Sequence, residues 1–281
     1  MTTSDRQYWE ERAVKHGRLA CGYLDPRHQV YEQPLRWAAF ARMSPIKPGE
    51  LVLDIGCGVG TWSVRMAEQG AQVLGVDISA AMIDMAEPHA GVEYRVAAAH
   101  ELDCPDRYFD LVVSVTVLQH ITDPEELKRA LRNLRRMLKD SGRFFVLEYS
   151  PRHSVPSQEL TYMRYRTHQQ WIDLMAGEGF ALASSGGVRF IGHRAYSAYR
   201  RLRQSRHAPP TATAAAASPP APAAAPAAPS LSSAESVLMR MAQATERAIA
   251  RTPVIRQRSD LHAYVFVKTP ASDLHSPSTS G

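Results

Sequence analysis

Leu51-Val52-Leu53-Asp54-Ile55-Gly56-Cys57-Gly58-Val59-Gly60 is the stretch on which the reading of the fold turns. A short, mostly apolar run enters a turn with glycine at every second position, and the amphipathic stretch TWSVRMAEQG follows. A strand that ends in such a turn and opens a helix lets a ligand lie against bare backbone, where a Cβ would obstruct it. The GxGxG spacing is not the GxGxxG of dinucleotide turns, whose longer loop aims a helix N-terminus at a pyrophosphate; it counts against a dinucleotide. The next apolar run, Val73-Leu74-Gly75-Val76-Asp77-Ile78, puts an acid at its carboxyl end, where it can accept hydrogen bonds from a ribose diol. The rival role for Asp77 is the N-cap of a helix beginning near Ser79, and the two roles can coexist.

Working outward, LVLDIG (51–56), QVLGVDI (72–78), VEYRVA (92–97), FDLVVSVTVL (109–118) and RFFVLEY (143–149) read as strands, the longest nearly continuous in apolar residues, as buried parallel strands are. TWSVRMAEQG, SAAMIDMAEPH and DPEELKRALRNLRRMLKDSG lie between them. The last places Leu127, Leu131, Leu134 and Leu138 at helical spacing, with Asp123 as N-cap and Pro124 in the first turn. HQQWIDLMAGEGF then reads as a helix up to a glycine stop, ALASSGGVRF as strand-like and LHAYVFVKT (261–269) as a strand. Repeated strand-helix-strand units predict an α/β, Rossmann-like doubly wound sheet, mostly parallel with an antiparallel last strand. An N-terminal helical lid and a basic helical insertion before the last strand complete it.

The 281 residues, 44% hydrophobic and 22% charged, suffice for one large domain and something extra. From Ala208 to Pro229 the chain is almost wholly alanine and proline, a composition that reads as an extended tether. The expected organisation is a helical cap (1–44), a core (45–191), a basic helical segment (192–207), a disordered linker (208–230), an amphipathic helical lid segment (231–258), the last core strand (259–269) and a disordered tail (270–281). Residues 189–258 hold eleven arginines against Glu235 and Glu246, a surplus of nine, so the rest of a chain with net charge +5 sums to −4. In the lid segment Val237, Leu238, Met241, Ala244, Ala248 and Ile249 form an apolar face at helical spacing, with Arg240, Arg247 and Arg251 largely opposite. Such a helix can cap a pocket, touch an anionic membrane surface or meet an acidic partner such as a carrier domain; nucleic acid fits on charge alone, with no recognition motif. No run is long enough to span a bilayer and the N-terminus lacks a secretory layout, which points to the cytoplasm. Cys21, Cys57 and Cys104 are odd in number and without CxxC pairing, against both a disulfide framework and a thiolate metal site, so no metal is expected.

With VLDIGCGVGTWS, VLGVDIS, FDLVVSVTVLQHITD and LKDSGRFFVLEY in order over residues 45–190, the chain resembles the class I S-adenosylmethionine-dependent methyltransferases, specifically the UbiE-like small-molecule branch. The resemblance implies S-adenosyl-L-methionine as cofactor, released as S-adenosyl-L-homocysteine. It implies that Gly56, Gly58 and Gly60 shape the loop around the methionine part, that Asp54 supports the loop, that Asp77 binds the ribose hydroxyls and that Ile78 borders the adenine. Where this branch often has an acid near the adenine amino group, this chain has Ala98, which leaves the backbone of Ala98 and Ala99 to hold the adenine, with His100 nearby. Tyr8 and Trp9 resemble the lid that covers the cofactor; simple core aromatics are the alternative.

Methyl transfer from a sulfonium is an in-line displacement, so much of the work is positioning the acceptor and excluding water. His120, just past the fourth strand on the carboxyl edge of the sheet, is the candidate base for a hydroxyl acceptor, against a pocket-shaping role. Glu148, ending the fifth strand, is a second catalytic candidate, against a solvated loop acid. The expected activity is methyl transfer to a small organic acceptor, oxygen favoured over nitrogen or carbon, in secondary or envelope metabolism. The alternatives are an RNA or protein methyltransferase docking through the arginine-rich insertion, and a non-catalytic S-adenosylmethionine-binding protein.

Overall fold

The computed structural model describes residues 3–22, 26–153, 162–190, 198, 233–251 and 259–270. The expected linker (208–230) and nearly all of the expected basic segment (192–207) and tail (270–281) lie outside the described residues.

Seven strands form one sheet: β1 (Leu51–Ile55), β2 (Gln72–Asp77), β3 (Val92–Val96), β4 (Phe109–Val115), β5 (Leu138–Tyr149), β6 (Phe180–Gly187) and β7 (Leu261–Lys268). Their order is β3-β2-β1-β4-β5-β7-β6. The first five are parallel; β7 runs antiparallel between β5 and β6. The strand order reverses between β1 and β4, and an open α/β sheet leaves a crevice outside the carboxyl ends of its strands at that point.

Helices α1 (Thr3–His16), α2 (Pro26–Met43), α3 (Thr61–Ala67), α4 (Ala80–Asp84), α5 (Pro124–Met137), α6 (His168–Gly177) and α7 (Ser233–Ala250) surround the sheet. Leu127, Leu131 and Leu134 of α5 and Trp171 and Met175 of α6 pack with Leu53, Val112, Phe144 and Tyr264 on one face. Tyr31, Leu35 and Phe40 of α2, Trp62 and Met66 of α3, and Met239 and Ala242 of α7 pack with Val52, Val113, Phe145 and Ala263 on the other. The inner strands β1, β2, β4, β5 and β7 bury most of both alternating sets of side chains, which explains their continuous apolar runs, whereas β3 and β6 at the edges stay partly exposed.

Three local expectations are corrected. Leu138 does not continue α5. The helix, capped by Asp123 through the amides of Glu125 and Glu126, stops at Met137; Leu138 pairs with Phe109 as the start of β5, so strand pairing overrides its helical spacing. β4 ends at Val115, because Thr116 turns the backbone to φ +56 before a single helical turn at Leu118–His120. The face of α7 that spacing marks as apolar is not the buried one: Val237 and Met241 are 48% and 63% exposed. Polar partners fix its orientation instead. The Glu246 carboxylate accepts from the Phe190 amide (2.7 Å) and the Tyr31 hydroxyl (3.3 Å), and the Gln243 amide donates to the Tyr31 carbonyl (3.0 Å).

Candidate active site

The crevice at the strand reversal is a cavity of roughly 350 Å³, within the size range of small-ligand sites. One end is built by the loops after β1, β2 and β3. Gly56 and Gly58 line it in left-handed conformation, φ +68 and +55. A Cβ on Gly58 would stand 2.7 Å from the Cys21 Cβ, and one on Gly56 would overlap Val117, so the loop has room only for bare backbone. The Asp77 carboxylate holds this loop from the next strand: Oδ2 accepts from the Gly58 amide (2.9 Å) and Oδ1 from the Ser79 amide (2.9 Å). Burial pushes its pKa up, opposed by those amides. Ser79, not Asp77, is the N-cap of α4, accepting from the Met82 amide. A carboxylate has about four lone-pair sites, so Asp77 retains capacity for ribose hydroxyls after both backbone bonds. Ile78, Ala98 and Ala99 line the same end.

Three candidates stand off the wall. Asp54 lies behind the loop, buried, accepting from the Ser63 hydroxyl (2.6 Å); burial pushes its carboxyl up to about 7. Gly60 (φ +81) closes the loop against Tyr94, whose hydroxyl occupies the place a Cβ would take. His100 turns toward Glu126 (3.4 Å) and Glu101 (3.6 Å) and is not a lining residue.

The other end is aromatic. Tyr8 and Trp9 of α1, His120, Tyr149, Tyr162 and Tyr165 line it. Tyr8 stacks on Tyr162 (5.1 Å), and Trp9 meets His120 edge-on (4.8 Å). His120 is 8% exposed, and its Nδ1 lies 2.9 Å from the Tyr162 carbonyl. A carbonyl only accepts, so Nδ1 carries the proton and Nε2 the lone pair. Burial, with the Arg12 guanidinium nearby, lowers its pKa to about 4, so the ring is neutral at physiological pH. Glu148 does not reach the cavity; it lies fully buried beneath the loop that carries His120.

Two wall residues carry no sequence signal. Arg12 lines the cavity, donates to the Ala20 and Gly22 carbonyls (3.0 and 3.2 Å) and sets its guanidinium over the Trp9 ring (5.7 Å). Arg36, 6% exposed, enters from α2 with Glu32 on its guanidinium (2.6 Å). An arginine in an amphipathic helix reads as a solvated face, and only the packing of α1 and α2 over the sheet edge turns these two inward.

A family model described as a methyltransferase domain matches residues 52–142. The chain is 31% identical over 209 residues to a ubiquinone biosynthesis O-methyltransferase of Coxiella burnetii, covering 68% of this chain and 87% of that protein. It is 34% identical over 134 residues to phosphoethanolamine N-methyltransferase 3 of Arabidopsis thaliana, covering 45% of this chain but only 27% of the plant protein's length. Among solved structures, phosphoethanolamine N-methyltransferase 2 of Haemonchus contortus, bound to S-adenosylhomocysteine, superposes with a TM-score of 0.60 over 96% of this chain and 61% of that one, at 18% identity, a likeness of fold. With the strand order, the bare glycine loop and the acid ending β2 already in place, these matches assign the chain: it belongs to the class I S-adenosylmethionine-dependent methyltransferases, in the small-molecule branch.

Proposed function

We propose that this methyltransferase methylates a hydroxyl oxygen of a small, planar acceptor seated among Tyr8, Trp9, His120, Tyr149, Tyr162 and Tyr165. The observation that carries the reading is the ring-lined acceptor end, with its neutral histidine and two arginines in the wall. Flat rings give a planar acceptor extensive contact at low entropic cost. S-adenosylmethionine supplies the methyl group as an electrophilic sulfonium; the glycine loop at Gly56 and Gly58, Asp77, Ile78 and the Ala98–Ala99 backbone hold it, with Arg12 for its carboxylate. His120 Nε2, on which the Gln119 side-chain amide lies at 3.4 Å, accepts the hydrogen bond of the acceptor hydroxyl in place of that amide and aims the oxygen lone pair. An imidazole with a pKa of about 4 is a weak base, so its contribution is orientation: the oxygen–methyl bond forms as the sulfur–methyl bond breaks, S-adenosylhomocysteine leaves neutral, and the hydroxyl proton passes to water.

The N-methyltransferase relative prompts an amine acceptor as the second reading, since aromatic rings also attract ammonium groups. Arg12 in the same wall works against a cationic amine, while the charge of Arg36 is met by Glu32. A polymeric acceptor docking on α7 draws no support from the cavity, to which α7 contributes no side chain. The test is transfer of a tritiated methyl group into a fractionated small-molecule extract of the source cells, followed by mass identification. Label in an O-methyl ether or ester is the expected result; label in an N-methyl product or in RNA or protein rejects the reading.

A further inference from the structure

The turn that carries His120 leaves β4 through a residue that resists it. Thr116 is β-branched and sits at φ +56, a conformation that needs support from its surroundings. Its amide donates to the Leu147 carbonyl (2.7 Å). The next two amides, of Val117 and Leu118, both donate to one side-chain oxygen, Glu148 Oε1, at 3.0 and 2.8 Å. Downstream, the Gln119 carbonyl accepts from the Arg164 amide (2.7 Å) and His120 donates to Tyr162. Glu148 is therefore the side chain that fixes the strained start of the turn, while Val117, held by it, packs on Gly56.

Nothing about Glu148 suits contact with substrate. It is fully buried and absent from the cavity wall. Among the described residues its other oxygen, Oε2, is buried without a hydrogen-bond partner, as are both ring nitrogens of His262, which faces Glu148 across the β5–β7 ladder. We propose that Glu148 is a positioning residue for the acceptor: its Oε1 holds the Thr116–His120 turn in register, so that the Nε2 face of His120 stays presented to the cavity, and ionisation of the carboxyl tightens that hold. Bonds from backbone amides to a carboxylate are shorter and stronger than bonds to a neutral acid. Against burial, the Leu118 and Val117 amides and Arg166, ahead of α6, favour the charge; the other titratable groups on the elements packed around it are Tyr264 and His262 of β7, His168 of α6 and His120 on the turn itself. Burial outweighs Arg166 and raises the carboxyl to about 8.

The functional meaning rests on reading the cavity as the methyl-transfer site, but the decisive measurement does not. In full-length, nitrogen-15-labelled protein, the Val117 and Leu118 amide protons and the His120 ring nitrogens are followed through mildly acid to alkaline pH in wild type, Glu148→Gln and Glu148→Leu. In wild type the two amide protons should move downfield together with one midpoint on the alkaline side of neutrality. Glu148→Gln should abolish that titration yet keep the His120 ring nitrogens at the values of an Nδ1-protonated neutral imidazole, because an amide oxygen still accepts from both backbone groups. Glu148→Leu should lose the single-tautomer signature. Persistence of the paired titration in Glu148→Gln, or of the tautomer signature in Glu148→Leu, would overturn the proposal. If the leucine variant does not fold, the glutamine variant and wild type still decide it. S-adenosylhomocysteine affinity, read by calorimetry in Glu148→Gln, should be unchanged; a loss would move the role of Glu148 to the cofactor loop.

Discussion

Asp77 bears two loads at once, since its oxygens fix the glycine loop through Gly58 and the start of α4 through Ser79 while the same carboxylate faces the cavity. Asp77→Ala should therefore weaken S-adenosylhomocysteine binding and lower the melting temperature together, each lost charge-assisted bond being worth about 1.5–3 kcal/mol. Calorimetry and a thermal melt on one sample check this, and a folded variant with unchanged affinity would take Asp77 out of the site. Gly60→Ala should behave differently. It forces a side chain into left-handed backbone and into the Tyr94 hydroxyl, costing on the order of 1–3 kcal/mol of stability, with cofactor affinity spared wherever the loop survives. His120 makes the third residue-level case. A base titrating near its ordinary value would give a rate that climbs between about pH 6 and 7. With the ring held neutral down to about 4, the histidine contribution to the pH–rate profile should be flat from pH 6 upward, and His120→Gln, which keeps an acceptor, should retain part of the activity. A histidine-like rise in wild type that vanishes in the variant would restore general-base catalysis.

At the scale of elements, Glu10 ties the N-terminal helix to the start of α4. Glu10 of α1 accepts from the Ser79 hydroxyl (2.7 Å) and the Ala81 amide (3.2 Å), which places a lid carboxylate over the first turn of α4, beside Asp77. Ala13 of the same helix packs on Val59 and Met82, so lid, glycine loop and α4 close as one unit. Glu10→Ala should loosen that unit: S-adenosylhomocysteine affinity falls by about tenfold, equivalent to about 1.4 kcal/mol, while the melting temperature of the ligand-free protein barely moves, because the bonds lost are partly exposed. Equal affinity in both proteins would show that the latch does not contribute to closure. Such a contact also marks the limit of what the chain reveals one residue at a time. The strands, the glycine turn and the acid after β2 are legible because period, bare backbone and strand-end position are local properties. Glu10, Arg12 and Arg36 read as solvated helix charges, since their roles arise only when α1 and α2 fold across the sheet edge. Leu138 and the exposed face of α7 mislead for the same reason: each satisfies a local helical pattern, and a distant partner, Phe109 in one case and Tyr31 with Phe190 in the other, decides the outcome.

Over the whole molecule, the buried ionisable groups set a window of stability whose two edges have different owners. Asp54 and Glu148 are raised from the usual carboxylate range to about 7 and about 8, so the folded chain keeps protons that the unfolded chain releases. Their contribution is fully present below the unfolded carboxylate pKa and is lost as pH rises through 7 and 8. His120 and His262 are lowered to about 4, and His100 and His168 move the same way; the unfolded chain binds protons that these buried rings refuse, so their contribution is full above about 6.5 and is lost as pH falls. Between the ordinary carboxylate and histidine values the two sets oppose each other, whereas from about pH 6.5 to 8 the carboxyls act alone among these groups. Stability should therefore decline across that upper interval, with no decline across it from the histidines. Cys57, whose thiol burial also raises, extends the fall at higher pH in the same direction. Melting temperatures at pH 6.5 and pH 8 in matched salt test the sign, and Asp54→Asn and Glu148→Gln assign it, each flattening part of the slope. A wild-type protein equally stable at both pH values would mean that the two carboxyls are already ionised in the folded chain at pH 6.5, and that Val117 and Leu118 donate to a permanent anion.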